Sequence, residues 1–293
     1  MAGAFDTVVD TLKDAIGFFM KYPARLTLEF VKVIALGMAL QMALVLLITA
    51  LGMLLGREPG ADAASMLAVA VTLLAGAAFF IISSALSATQ FSIVDQMTEG
   101  KKVGIIRKTM ELLPRMAAFC GIIIVAFIAV LALAFLSGTV LVGIAGAFLM
   151  LLTLIGMVGA VFFCQFSVTM MAVRGKDAIS ALKDSIIMAK RNFWAAFAFD
   201  IIMLVPVLGV IVVLSVPQEI IGSVIASPGA DVMLSAALFA ASLALSLVES
   251  VLVSLMMTCF IYFFFRRLEG AEDVPAAGAP AVPSKKRAAR KQA

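Results

Sequence analysis

The sequence predicts an all-α, polytopic membrane protein. Six transmembrane helices form three parallel two-helix repeats, each preceded by an interfacial amphipathic helix, with both termini inside. Three observations carry that prediction. Hydrophobic residues make up 63% of the 293-residue chain and charged residues only 14%, whereas about a quarter of a soluble domain is charged. Apolar runs appear at 33–56, 66–94, 117–136, 140–173, 193–216 and 232–265. Each meets the roughly 20 helical residues that cross about 30 Å of hydrocarbon. The runs lack barrel-like alternation, and a segment in lipid must satisfy its own backbone hydrogen bonds, so they are helices.

The third observation is the placement of positive charge. The outer connections, 57–65, 137–139 and 217–231, hold one basic residue, Arg57, of the 22 in the chain. All others fall on the opposite side, which positive charge marks as cytoplasmic. The middle pair of spans is joined only by Ser137-Gly138-Thr139, read as a tight turn. The localisation expected is a cell membrane of a prokaryote, multi-pass, with both termini cytoplasmic.

The repeat rests on two sets of anchors. QFSIVDQMTEGK at 90–101 returns as QFSVTMMAVRGK at 165–176, 75 positions later. LKDAI at 12–16 returns as LKDSI at 182–186, and Leu12 to Gly100 and Leu182 to Gly270 both span 88 positions. A weaker third ending, CFIYFFFRRLEG, aligns Cys259 with Cys164 and Gly270 with Gly175. The units are therefore about 5–100, 101–175 and 176–270, making one domain over 1–270, followed by a disordered basic tail at 271–293. At the first two endings Gln90 and Gln165 sit at the inner face, Gly ends a helix, and Lys101 and Lys176 meet lipid phosphates, while Phe260 stands in the Gln place of the third.

An amphipathic segment opens each unit. Phe5, Val8, Val9, Leu12, Ile16 and Phe19 share one face of the first. Val103, Ile106, Met110 and Leu113 do so in the second, and Ile179, Leu182 and Ile186 in the third. Pro23, Pro114 and Asn192 mark the bends into the membrane.

The stretch GKDAISALKDSIIMAKRNFWAAFAF at 175–199, with FFFRRLEG at 263–270, resembles a family of six-helix membrane domains. That family includes the membrane domain of bacterial glycerophosphoryl diester phosphodiesterases and related uncharacterised prokaryotic proteins. Gly175, Ala181-Leu182, Ser185, Lys190, Asn192-Phe193-Trp194, Arg266-Arg267 and Glu269-Gly270 fit its pattern. The resemblance implies a fold and carries no activity across, since these residues include no histidine for a phosphodiesterase catalytic site.

Histidine is absent, which removes imidazole metal sites and Ser-His or Cys-His catalytic pairs. The three cysteines, Cys120, Cys164 and Cys259, lie dispersed in apolar runs and form no metal or disulfide framework. No catalytic residue, metal site or cofactor is expected. Asp200 and Glu249 are the acids well inside spans, where ionisable groups mark either ion pathways or helix contacts. Pro206 follows Asp200, and Ser242, Ser246, Ser250 and Ser254 recur every four residues beside Glu249, as packing residues or as a hydrophilic wall.

Lys285, Lys286, Arg287, Arg290 and Lys291 close a Pro/Ala-rich tail that attracts anionic lipid. The expected partners are the bilayer, anionic headgroups and other membrane proteins. Nucleic acid is not expected, apart from a ribosome that the tail would attract by the same electrostatics. The function expected is a non-enzymatic scaffold, assembly partner or lipid-interacting module. The alternative is a transporter or channel using Asp200 and Glu249 along a polar path.

Overall fold

A computed structural model describes residues 2–55, 62–102, 104–140, 151, 155–156, 159–225 and 232–272. Among these residues the protein is all-helical. The helices are α1 (Ala2–Lys21), α2 (Pro23–Leu55), α3 (Asp62–Thr98), α4 (Ile105–Val140), α5 (Ser167–Arg174), α6 (Ala178–Arg191), α7 (Phe193–Ile225) and α8 (Val232–Glu272). Segments of α2, α3, α4, α7 and α8 are long and apolar enough to cross a membrane, five among the described residues. The sixth expected run, 140–173, lies partly outside those residues. Its described part is the shorter apolar helix Gly159–Arg174, interrupted by a turn at Gln165 and Phe166.

Several boundaries differ from the sequence expectation. Ser137, Gly138 and Thr139 continue α4 as helix rather than forming a turn. One helix glycine costs about 1 kcal/mol, less than an unsatisfied peptide group in hydrocarbon. For the same reason α3 starts at Asp62 inside the expected 57–65 loop, and α7 runs to Ile225 inside the expected 217–231 loop. Helix α7 continues through both Pro206 and Pro217. Pro114 lies inside α4, so the second amphipathic segment and its span are one helix. Tyr22, before Pro23, and Asn192 do separate helices. Asn192 caps α6 by donating its backbone N–H to Met188 O at 3.0 Å and its side-chain amide to the same oxygen at 3.1 Å.

The C-terminal ends of α3, α5 and α8 meet, and they form the buried core with the segments docked on them. Phe199 of α7 stacks on Phe264 of α8 with centroids 4.2 Å apart. The amphipathic segments pack around this core in cyclic order. Helix α1 packs on α7 and α8, α6 packs on α4 and α5, and the start of α4 packs on α3.

All three segments bury the same 3-4-3 spacing. These sets are Val8, Thr11, Ala15 and Phe18; Thr109, Leu112, Met116 and Phe119; and Ala178, Ala181, Ser185 and Met188. The buried stripe is one shoulder of the apolar face expected from the sequence. Phe5, Ile16, Met110 and Ile179 on the other shoulder are 54–70% exposed. A helix lying between a bundle and a lipid interface needs apolar side chains toward both, and periodicity alone does not say which shoulder meets protein.

The spans leave large apolar side chains open, such as Leu204, Val205, Val213 and Met233. Apolar helices with outward-facing side chains are compatible with a membrane-embedded, multi-pass protein. The helix endings also differ from one another. Gly100 and Gly175 have φ of 71° and 66°, a left-handed conformation that favours glycine. After α3, Lys101 N–H reaches Gln96 O at 2.8 Å and Gly100 N–H reaches Met97 O at 3.1 Å, a Schellman ending. Gly270 instead stays helical within α8, so the third ending does not stop its helix there.

Candidate functional site at the basic end of the bundle

The polar chemistry concentrates where α3, α5 and α8 meet. Gln90, only 6% exposed, accepts hydrogen bonds through Oε1 from Ser254 at 2.7 Å and Thr258 at 3.2 Å. Thr89 and Thr109 share a 3.0 Å hydrogen bond that ties α3 to α4. Ser92 donates to Ala172 O at 2.9 Å, joining α3 to α5.

One turn further, Asp95 Oδ1 accepts from Tyr262 Oη at 2.9 Å and from Arg266 Nη2 at 2.7 Å. Arg266 Nε also donates to the Tyr262 oxygen at 3.2 Å, and Nη1 lies 3.4 Å from Glu269 Oε2. Glu269 in turn pairs with Arg174. Arg267 points the other way and clamps α1, with Nη1 2.9 Å from Asp10 and Nη2 2.7 Å from Asp14. That hydrogen bond holds the Asp10 carboxyl below its ordinary pKa. Asp95, Tyr262, Asp10, Asp14 and Glu269 were not singled out as pairing residues from the sequence. Their partners lie far away along the chain, so no local spacing announces them.

The turn at Gln165 and Phe166 is repaired from outside its own helix. Ser185 of α6 accepts the Phe166 N–H at 3.2 Å and donates to Phe163 O at 2.8 Å. Arg115 of α4 supports the far end of α5 with Nη1 3.5 Å from Met171 O. Around this turn Gln165 Nε2, Ser167 Oγ and Thr169 Oγ1 are buried without a hydrogen-bond partner. Gln165 and Asp200 line one cavity of about 130 Å³, otherwise walled by apolar residues including Phe199, Met203 and Met257. The Asp200 carboxyl approaches the Gln165 amide without closing a hydrogen bond of ordinary geometry.

Glu249 is held elsewhere, accepting from Gln218 Nε2 of α7 at 2.9 Å. Gln218 stood in an expected loop and was missed because α7 extends past Pro217. Ser242, Ser246, Ser250 and Ser254 do not form one wall. Four-residue steps turn about 40° each on a 3.6-residue helix, and Ser246 and Ser250 are exposed while Ser254 reaches Gln90.

Lys101 pairs with Glu99 beside the α3 ending. Lys176 pairs with Asp184, so both lysines have protein partners as well as exposure. Asp177 caps α6 by accepting the Ser180 N–H at 3.1 Å, which holds its carboxyl below the usual range. Cys120, Cys164 and Cys259 are free thiols. Among the described residues no three His, Cys, Asp or Glu side chains are grouped to hold a metal ion. The basic tail residues Lys285, Lys286, Arg287, Arg290 and Lys291 lie outside the described residues.

Residues 7–268 match DUF7847, a domain of unknown function. The chain belongs to that family. The match takes in all or most of every described helix, with the Asp95–Tyr262–Arg266 contact and the Arg267 clamp on Asp10 and Asp14, while Glu269 lies just beyond it. No curated protein and no solved structure matches the chain.

Proposed function

We propose that this DUF7847 chain is a non-enzymatic membrane scaffold, assembly partner or lipid-interacting module with its basic end in the cytoplasm. The observation that carries this reading is the fate of the intramembrane polar groups. Gln90 is engaged by Ser254 and Thr258, and Glu249 by Gln218. Buried polar groups matched to one another between helices hold a bundle in one register. Asp200 and Gln218 lie on the same helix, 18 positions and about 27 Å apart. Met203, Val207, Ile211 and Leu214 lie between them on that face, and none offers a step to a proton or an ion.

The same reading takes the protein as three parallel repeats. The 3-4-3 burial pattern and the cyclic docking of α1, α6 and the start of α4 support it. The residues behind the resemblance to phosphodiesterase membrane domains also fit a structural role. Ser185 repairs the turn, Asn192 caps α6, Arg266 binds Asp95, and Glu269 pairs with Arg174.

A second reading, transport through Asp200 and Glu249, has one observation in its favour. The unpartnered Gln165 amide shares a cavity with Asp200. Proteoliposomes loaded with a pH-sensitive dye separate the two. The scaffold reading predicts proton and monovalent-cation leak equal to protein-free vesicles. A flux that disappears in Asp200→Asn supports transport instead.

A further inference from the structure

We infer that the cavity between the Gln165 turn, α7 and α8 binds the hydroxyl of an uncharged, alkyl-bearing lipid, a diacylglycerol or a long-chain alcohol. Two polar groups line it, the Gln165 amide and the Asp200 carboxyl. Gln165 Nε2 is buried with no hydrogen-bond partner, and it approaches the carboxyl without closing a bond of ordinary geometry. A donor and an acceptor that stop short of each other suit a group that accepts from one and donates to the other. A hydroxyl does both. An ammonium only donates, which leaves the Gln165 N–H unmatched. A phosphate meets the Asp200 carboxylate with like charge, and among the described residues no Lys or Arg lines the cavity to offset it.

The rest of the wall selects a lipid over water. It is apolar, with Met203 and Val207 of α7 facing Met257 and Ile261 of α8. The volume of about 130 Å³ exceeds what one water fills, and further waters against such walls find too few partners. A hydroxyl with its first methylenes matches both the polar pair and the apolar wall. Leu204 also lines the cavity and is 58% exposed, so the cavity opens on the side of α7 where an alkyl chain can leave into lipid. The depth agrees. Phe193 and Trp194 at the start of α7 are 39% and 56% exposed, an aromatic pair of the kind that gathers at membrane interfaces. Asp200 lies about 10 Å further along the helix, below the level of phosphate headgroups, where the hydroxyl of an uncharged lipid sits.

This site deepens the lipid-interacting reading above and rests on it, yet it fails separately. A proton or cation leak in the proteoliposomes contradicts the scaffold reading whatever the cavity holds, whereas a cavity that takes no alcohol contradicts the site alone. The experiment is photocrosslinking of the full chain in phosphatidylcholine nanodiscs with a diazirine-bearing dodecan-1-ol, located by peptide mass spectrometry.

Label is expected at Met203, Val207 or Met257 above the background at lipid-facing Val213. Unlabelled dodecan-1-ol is expected to compete about tenfold better than its methyl ether, which cannot donate, or than dodecylamine. Competition by dioctanoylglycerol as well assigns the site to diacylglycerols, and competition by dodecan-1-ol alone assigns it to single-chain alcohols. Gln165→Met removes an amide that bonds to nothing in the protein. It is therefore expected to leave thermal stability unchanged or raised while weakening the label about tenfold. Asp200→Leu is expected to weaken the label to a similar degree. Label no stronger than at Val213, or unchanged in Gln165→Met, overturns the site. So does equal competition by the methyl ether, which means a merely apolar cavity, or better competition by dodecylamine, which means a cation site.

Discussion

Arg266 Nη2 donates to Asp95 Oδ1 at 2.7 Å across 171 positions of sequence. That contact joins the last helix to the end of α3, and the Tyr262 hydroxyl shares the same carboxylate oxygen. Hydrogen bonds to charged groups contribute about 1.5–3 kcal/mol, and removing one partner leaves the other desolvated. Asp95→Ala is therefore expected to destabilise the bundle by about 2 kcal/mol. Asp95→Asn, which still accepts from Tyr262, is expected to cost less. A double-mutant cycle with Arg266→Gln, read by SDS titration in mixed micelles, is expected to show coupling above about 0.5 kcal/mol. Additive losses would mean that the pair does not hold the helices together.

The clamp on α1 is expected to depend on pH. Hydrogen bonding by Arg267 lowers the Asp10 pKa below its unfolded value. A depressed carboxyl contributes stability above the unfolded pKa, and that contribution disappears as pH falls through the folded one. Docking of α1 is thus expected to be intact at neutral pH and to loosen only below the ordinary carboxylate range. Spin labels at Gly17→Cys and Gly270→Cys, in a background lacking the native cysteines, report it by pulsed EPR. A narrow distance distribution at pH 7 is expected to broaden in acid, and Arg267→Gln is expected to broaden it at every pH. A distribution unchanged in Arg267→Gln contradicts the clamp.

The three closing glycines are expected to respond differently. Alanine at Gly100 or Gly175 must adopt positive φ, at a cost of about 1–2 kcal/mol. Gly270 is helical and a Cβ there meets nothing within 4 Å. Gly270→Ala is therefore expected to be neutral or to stabilise by up to about 1 kcal/mol. Thermal unfolding in detergent of the three single variants checks the contrast, and an equal loss at Gly270 would contradict its helical placement.

Glu249 near the middle of α8 and Gln218 near the end of α7 form a polar contact. Glu249→Gln keeps a partner for Gln218 and is expected to change stability little. Glu249→Leu leaves the Gln218 amide without its acceptor and is expected to cost about 1–3 kcal/mol. Unfolding of both variants in the same micelles checks this; equal losses would mean that charge, rather than the hydrogen bond, matters at this position.

The helical class was legible because hydropathy and the demands of a lipid environment act on every residue of a span. Gly100 and Gly175 were legible as helix ends because a left-handed cap is a local requirement. Gly270 was misleading because it inherits the same letters without the same turn. Ser137-Gly138-Thr139 looked like a hairpin, but small residues inside an apolar helix are tolerated when breaking it would strand peptide groups. The apolar faces of α1 and α6 were found, while the shoulder that packs was not, since both shoulders are apolar. The ion-pair network was the least legible part. Asp95 and Arg266 each look like ordinary interfacial charges until the fold brings them together.

With both termini inside, Lys13, Lys101 and Lys176 are expected on the cytoplasmic face and Arg57 on the opposite one. Single cysteines at these four positions, in a cysteine-free background, are labelled in intact cells with a membrane-impermeant maleimide. The account predicts labelling at Arg57→Cys alone, with the other three reacting only after the cells are opened. Labelling of Lys101→Cys or Lys176→Cys from outside would contradict the orientation, and with it the placement of the basic end against the inner leaflet.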